Sequence, residues 1–226
     1  VFVAEGKGEH VWELSPELKS DITRIYDDAK LSIWAELDRE FMQGIPRSIP
    51  VSTRSSNRED YILHPTTGEE LDDRSIAALD ALRRKQDAQV DVQIVISDGL
   101  NALAIQEEGH LMPYLRRLRA ELEQRGLRVA EDHLVVVSGR VRAGYRIGER
   151  LFSGLDGTRA IAHIIGERPG TGHRTFSSYL TSADGDVWMR AGKVDHNITQ
   201  VISGIATTAL LPVKGAQQSA RLLVNA

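Results

Sequence analysis

The residues best suited to gripping a ligand stand together in Gly166-Glu167-Arg168-Pro169-Gly170-Thr171-Gly172, directly after the apolar run Ala160-Ile-Ala-His-Ile-Ile165. Arg168 offers a planar fork of donors to amides, carboxylates or phosphates, and Glu167 can orient it or accept from an amide. The same residues would equally make a tight, ion-paired loop with no ligand, and local chemistry leaves both readings open. A dinucleotide enzyme is disfavoured, because the chain has neither a G-x-G-x-x-G spacing at its first strand nor the Lys-Ser/Thr of a P-loop. Ser97-Asp98-Gly99-Leu100-Asn101 is a second candidate, where Gly99 permits close backbone approach and the N–H groups of a following helix can hold an oxyanion or amide oxygen. Its plainer reading is a strand-to-helix turn capped by Asp98 or Asn101. Gly139-Arg140-Val141-Arg142 is the third.

No catalytic set accompanies these loops. The histidines are scattered, with no H-E-x-x-H or other close ligand pair, which speaks against a zinc catalytic site. His163 reads as a hydrogen-bonded core residue of a strand, and His173 and His196 as surface or interface residues rather than acid–base catalysts. There is no G-x-S-x-G elbow, and the absence of Cys removes disulfides, thiolate zinc sites and Cys nucleophiles. Loops suited to gripping a large ligand, without a catalytic constellation, point to the binding partner of an enzyme. No catalytic and no metal-ligating residue is assigned.

The elements that must position these loops follow from periodicity. Ser15 as N-cap and Pro16 at the first helical position start a helix that the apolar stripe Leu18, Ile22, Ile25, Tyr26, Ala29, Ile33, Leu37 and Phe41 carries to about residue 41. Residues 45–57, with Pro46, Pro50 and five Ser/Thr residues, read as a linker. A helix follows over 68–85, then the strand Val90–Ile96, a helix over 101–125, and the strand 129–138 around Leu134-Val-Val-Val137. A short helix over 144–153 and the strand Ala160–Ile165 complete the alternation. Phe176–Thr181 and Val187–Arg190 read as a hairpin across Asp184-Gly185, and a helix from about Pro212 closes the chain. The continuously apolar runs suit strands covered on both faces. The expected architecture is therefore α/β, a mostly parallel sheet with helices on both faces plus an N-terminal helical arm, divided as 1–57 and 58–226. Ligands of such sheets bind outside the carboxyl ends of the strands, where the three candidate loops would meet.

Composition agrees with an ordinary globular chain: of 226 residues, 41% are hydrophobic and 27% charged. A net charge of −4 gives no hint of nucleic-acid or anionic-membrane binding, and no apolar run reaches the ~20 residues of a membrane-spanning helix. With no secretory signal pattern, the cytoplasm is the expected location. A start at Val1 rather than Met fits a processed form or part of a longer product.

From about residue 58 onward the chain resembles the small subunit of ethanolamine ammonia-lyase. The resemblance rests on Arg58-Glu-Asp-Tyr61-Ile-Leu, Val92-Gln-Ile-Val-Ile-Ser-Asp-Gly-Leu100, Ser138-Gly-Arg-Val141 and Ile165-Gly-Glu-Arg-Pro-Gly-Thr-Gly172, in this order and at these separations. It implies a Rossmann-like fold that holds adenosylcobalamin at an interface with a (β/α)8 large subunit, in a hetero-oligomer inactive without that subunit. It also implies a radical conversion of ethanolamine to acetaldehyde and ammonia, and the cytoplasm or a bacterial microcompartment as housing. The cobalamin-facing residues it implies are Arg140, Val141, Glu167, Arg168 and, at a position where relatives carry Cys, Ile198. Cobalamin proteins that replace the lower base with a protein His use D-x-H-x-x-G; here His163-Ile-Ile-Gly166 lacks the Asp, since Ile161 stands in its place. The cofactor is therefore expected to keep its own base.

Departures from the family pattern fall at Ile198, at His173-Arg-Thr-Phe, at Val201-Ile-Ser-Gly-Ile205, and throughout residues 1–57. The rival reading is a stand-alone cobalamin- or nucleotide-binding module without lyase activity.

Overall fold

The computed structural model describes residues 10, 13–170, 173–190 and 196–224. Helix α1 (Pro16–Trp34) starts as its sequence predicts: the Ser15 side chain accepts from the Leu18 amide at 3.2 Å, and Pro16 takes the first turn. It ends earlier than the stripe suggests. The Gln106 side-chain amide bonds the Glu36 carbonyl and the Asp38 N–H, holding the chain extended before α2 (Arg39–Gly44) restarts under an Asp38 cap. Leu18 and Leu37 are buried, whereas Ile22, Tyr26, Leu31 and Trp34 face solvent. Of the stripe itself only Ile22 and Tyr26 are exposed; Leu18 and Leu37 are buried, and Ile25, Ala29, Ile33 and Phe41 are partly covered.

Strand β1 (Ser48–Ser52) lies where a linker was expected. It pairs in parallel with β3 at one edge of the sheet, and an edge position tolerates the missing N–H of Pro50. Then come α3 (Arg58–Leu63), a 3-10 turn over Pro65–Gly68, α4 (Asp73–Gln86), β2 (Val92–Ser97), α5 (Ala102–Gln106) and α6 (Leu111–Gln124). The single helix expected over 101–125 is thus two, broken where the buried His110 ring bonds the Ala104 carbonyl at 2.8 Å. Next follow β3 (His133–Val137), α7 (Val141–Phe152), β4 (Thr158–Gly166), β5 (Phe176–Asp184), α8 (Gly185–Met189), a 3-10 turn over His196–Ile198, β6 (Thr199–Ile205) and α9 (Pro212–Val224).

The six strands form one sheet in the order β1-β3-β2-β4-β5-β6. The expectation of a mostly parallel sheet is corrected: β1 to β4 pair in parallel, but β4–β5 and β5–β6 are antiparallel, so the sheet is mixed. The connection over 167–175 is too short for the crossover that a parallel neighbour needs, so β5 must fold straight back along β4. The expected hairpin at Asp184-Gly185 is also corrected. There β5 gives way to α8, whose Trp188 is fully buried and donates its indole N–H to the Arg159 carbonyl at 3.1 Å.

Helices cover both faces. On one, Ile94, Ile96, Ala162 and Ile164 pack beneath Leu118 and Leu122 of α6 and Ala216 and Ala220 of α9. On the other, Val95, Leu134, Val136 and Ile161 pack beneath Leu79 of α4, Ile147 and Leu151 of α7, and Trp188. At about 1.5–3 kcal/mol for each large apolar side chain removed from water, these two layers hold the strand ends in place. Among the described residues no helix is long and apolar enough to cross a membrane.

Candidate functional site

Going out from β2, the chain crosses to β3 on one side and then, past β2 again, to β4 on the other. Loops leaving β2 and β4 therefore part in opposite directions, and an α/β sheet opens a crevice at such a point. A pocket of about 250 Å³ lies there. One wall is Tyr61 of α3, Gly99 and Leu100 after β2, and Arg140 and Val141 after β3; the other is Ile165, Gly166, Glu167 and Arg168 after β4, with Tyr179 and His196.

The two walls meet backbone to backbone. Gly99, at φ +56°, and Gly166 press so close that a Cβ on either would run into carbonyl oxygens of the other loop. The Leu100 amide donates to the Gly166 carbonyl across this seam at 3.3 Å. Glycine is required at both positions for that approach.

The first wall is built on a buried ion pair. Asp98 is fully buried and accepts from Arg58 at 3.1 Å, from the Ser138 amide at 2.9 Å and from the Gly139 amide at 3.0 Å. Burial outweighs these partners and pushes its carboxyl up to about 6, so that it is ionised at pH 7. Asn101, not Asp98, caps the following helix, accepting from the Ala104 amide at 3.1 Å. Two guanidinium groups lie over Tyr61, Arg58 at 4.6 Å and Arg140 at 4.3 Å from its ring centre, and the ring favours both cations. Its hydroxyl donates to the Gly139 carbonyl at 3.2 Å, and Arg140 donates back to the Tyr61 carbonyl at 2.8 Å. Burial holds the Tyr61 phenol far above its ordinary range, so it stays a neutral donor.

The second wall is more open. Glu167 is half-buried, accepts from Ser177, and has its pKa raised by burial against the opposing charge and backbone of Arg168. Arg168 is exposed and has no ion pair among the described residues. Tyr179, on β5, is raised by burial and by the Glu167 charge. His196 meets Tyr145 through its Nδ1 at 3.0 Å.

Four of the sequence-selected residues, Arg140, Val141, Glu167 and Arg168, come together in this pocket. Ile198 does not line it; its side chain is partly buried against the core under α7 and α8. Thr171, Gly172 and Asp195 lie outside the described residues. His163 is buried in β4, bonds Ser97 through Nε2 and lies against Gly144 of α7. Burial lowers its pKa to about 4, against the opposing influence of the Val141 backbone, so the ring is neutral and structural. Sequence reasoning missed Tyr61 and Tyr179 as pocket residues, and read His196 only as a surface or interface residue near the ligand edge. Tyr179 carried a usable signal, since strand alternation places it on the opposite face from Leu180.

The arrangement presents guanidinium donors, a carboxylate and a phenol around an apolar floor of Leu100, Val141 and Ile165. It suits a ligand edged with neutral polar groups rather than a compact anion. Among the described residues no cluster of His, Asp and Glu is placed to hold a metal ion.

Comparison with known proteins agrees with this frame. The small subunits of ethanolamine ammonia-lyase from Pseudomonas paraeruginosa (strain DSM 24068 / PA7) and Pseudomonas putida (strain GB-1) are each 34% identical over 123 residues, which is 54% of this chain and 42% of those proteins. That from Pseudomonas fluorescens (strain Pf0-1) is 31% identical over 136 residues, 60% of this chain and 47% of the relative. Each match thus spans less than half the length of the relative. A model of the ethanolamine ammonia-lyase light chain family (EutC) matches residues 3–226, and the chain belongs to that family.

Proposed function

We propose that this chain is the cobalamin-clasping small subunit of an adenosylcobalamin-dependent ethanolamine ammonia-lyase, acting with a large subunit and assigning none of its own residues to catalysis. The parallel strands β1 to β4 serve as a Rossmann-like platform in this reading, with the cytoplasm or a bacterial microcompartment as its setting. The observation that carries it is the convergence of Arg140, Val141, Glu167 and Arg168 at one crevice, in a chain of this family. The donor set fits the group. A corrin ring is edged by neutral amide side chains, which need donors and acceptors in alternation, and Arg140, Arg168, Glu167 and Tyr179 supply both kinds. The volume fits too. About 250 Å³ is below the roughly 300–1,000 Å³ that encloses a drug-sized ligand, so this pocket would hold one edge of a corrinoid and leave the rest to a second surface.

When bound, adenosylcobalamin supplies the 5′-deoxyadenosyl radical that starts conversion of ethanolamine to acetaldehyde and ammonia. This chain's part is orientation and exclusion. Arg140 and Arg168 would hold amide oxygens from opposite walls, Glu167 would accept from an amide N–H, and Leu100, Val141 and Ile165 would keep water from the buried edge. Ile198 lies outside the pocket and would act on it only indirectly, through the core it packs against. His163 has no route to a cobalt ion through α7, which supports a cofactor that keeps its own base.

The test is adenosylcobalamin-dependent release of acetaldehyde and ammonia, by this chain alone and mixed with the large subunit from the same source. Turnover only in the mixture is expected. Cobalamin binding by the chain alone, with no turnover in the mixture on any amino alcohol, would favour the stand-alone binding module. Neither binding nor turnover would overturn both.

A further inference from the structure

Arg58 touches no candidate ligand-binding space, yet it is 6% exposed and spends its whole guanidinium on three acceptors in two separate segments. Nε donates to the Ile33 carbonyl in the last turn of α1 at 2.8 Å, Nη1 to Asp98 at 3.1 Å and Nη2 to the Gly99 carbonyl at 3.0 Å. Its guanidinium lies 4.6 Å from the centre of the Tyr61 ring, and that of Arg140 lies 4.3 Å from the same centre. A buried guanidinium with this many obligations fixes the relative positions of everything it touches, because each bond has a directed geometry and no water can substitute.

We propose that Arg58 is a positioning residue of the pocket: it presents Arg140 and the Gly99 turn to the ligand and makes the last turn of α1 a structural part of the site. The proposal rests on the cobalamin reading of that pocket. Two routes lead from Arg58 to Arg140. One runs through the Tyr61 ring, which both guanidinium groups contact. The other runs through Asp98, whose carboxylate fixes the Ser138 and Gly139 amides immediately before Arg140. Ser138 is held at a φ of +55°, a costly conformation for a residue with a side chain, so the loop needs such an external tie to persist. The same guanidinium reaches α1, which is also tied to the body by the Asp28–Arg174 ion pair at 2.6 Å, so the last turn of this helix is joined directly to the pocket wall.

Arg58→Lys keeps the charge and most of the volume but cannot bond three acceptors in one plane. The experiment uses the full chain with its large subunit and adenosylcobalamin as the probe, and compares four proteins: the parent, Arg58→Lys, Arg140→Ala and the double variant. The Arg58→Lys affinity should drop by about tenfold, the ordinary cost of losing a hydrogen bond to a charged group. In the Arg140→Ala background the same change should cost clearly less, because the part of its effect that passes through Arg140 is gone and only the part through the Gly99 turn remains. Losses that simply add would overturn the proposal and leave Arg58 a general fold-stabilising residue. A second readout needs no ligand. In Arg58→Lys, hydrogen exchange at the Ser138 and Gly139 amides should quicken by about tenfold while β2 and β4 keep their protection. Exchange that is unchanged, or faster everywhere alike, counts against positioning. If the parent complex binds no cobalamin, the cofactor reading fails by itself, and the exchange result still decides whether Arg58 clamps these loops.

Discussion

The two walls of the pocket are made in opposite ways. The wall formed by α3 and the loops after β2 and β3 is cross-braced from inside: Asp98 alone gathers Arg58 and two backbone amides, and Tyr61 is gripped by two arginines. The wall after β4 is held at its base by backbone bonds, Leu100 to Gly166 and Glu167 to Thr175, but has no buried ion pair among the described residues, and its foremost cation, Arg168, is exposed. A prebuilt wall spends its cost of ordering during folding, whereas an open wall spends it when ligand arrives. The fixed wall thus sets where a ligand sits, and the open wall sets how tightly it is closed upon.

The most forceful way to break this contrast is to remove the brace. Asp98→Ala leaves a buried guanidinium and two buried amides without their acceptor, and should cost about 3–5 kcal/mol in chemical denaturation. A loss under about 1 kcal/mol would mean that the first wall is no better braced than the second.

Arg168→Ala probes the open wall. No ion pair is lost among the described residues, so stability should stay within about 0.5 kcal/mol of the parent. Cobalamin affinity of the complex should nevertheless fall about tenfold, read by titrating the cofactor's absorbance. If denaturation midpoint and affinity fell together, Arg168 would belong to the fold and the walls would not differ in kind.

The contrast also explains what was legible beforehand. Strands β2, β3 and β4 were plain because burial on both faces turns them into unbroken apolar runs, and the loops at their ends could be named at once. Four residues of the pocket followed from those loops. Strand β1 was hidden because an edge position accommodates Pro50 and flanking Ser residues that otherwise mark a linker. The reversal at β5 was hidden because apolar periodicity carries no strand direction. The brace was the least visible feature. Arg58 and Asp98 stand forty residues apart, each in unremarkable local sequence, and only the meeting of α3 with the β2 loop makes them partners.

Within the body of the fold, His163 offers a finer contrast with Asp98. Its folded pKa of about 4 lies below its ordinary value of 6.5, so its contribution to stability is complete above pH 6.5 and is lost as pH falls toward 4. The folded pKa of Asp98, about 6, lies above its ordinary 3.8; its contribution is complete below that and is lost as pH rises to about 6. The two slopes oppose one another in the same window. His163→Asn should therefore flatten the fall in denaturation midpoint between pH 6.5 and 4, and Asp98→Asn should steepen it, each read against the parent profile. Parallel profiles for all three proteins would place both titrations elsewhere.

The smallest effect is the one that isolates the first wall. Protonating Asp98 weakens its hold on Arg58 and on the Ser138 and Gly139 amides without emptying the site, since a neutral carboxyl still accepts hydrogen bonds. The groups that set this titration are Arg58 and the two amides, which favour the charged form, and burial and the more distant Glu36, which oppose it. Cobalamin affinity should accordingly decline by less than about tenfold as pH falls from 7 to 5, with half the change near pH 6. Glu167, across the pocket, is also held up by burial and adds its own acid limb. Asp98→Asn separates the two, because it removes the first wall's titration and leaves that of Glu167. An affinity profile in the Asn variant that superimposes on the parent's would assign the whole pH dependence to the open wall, and the brace would then act on stability alone.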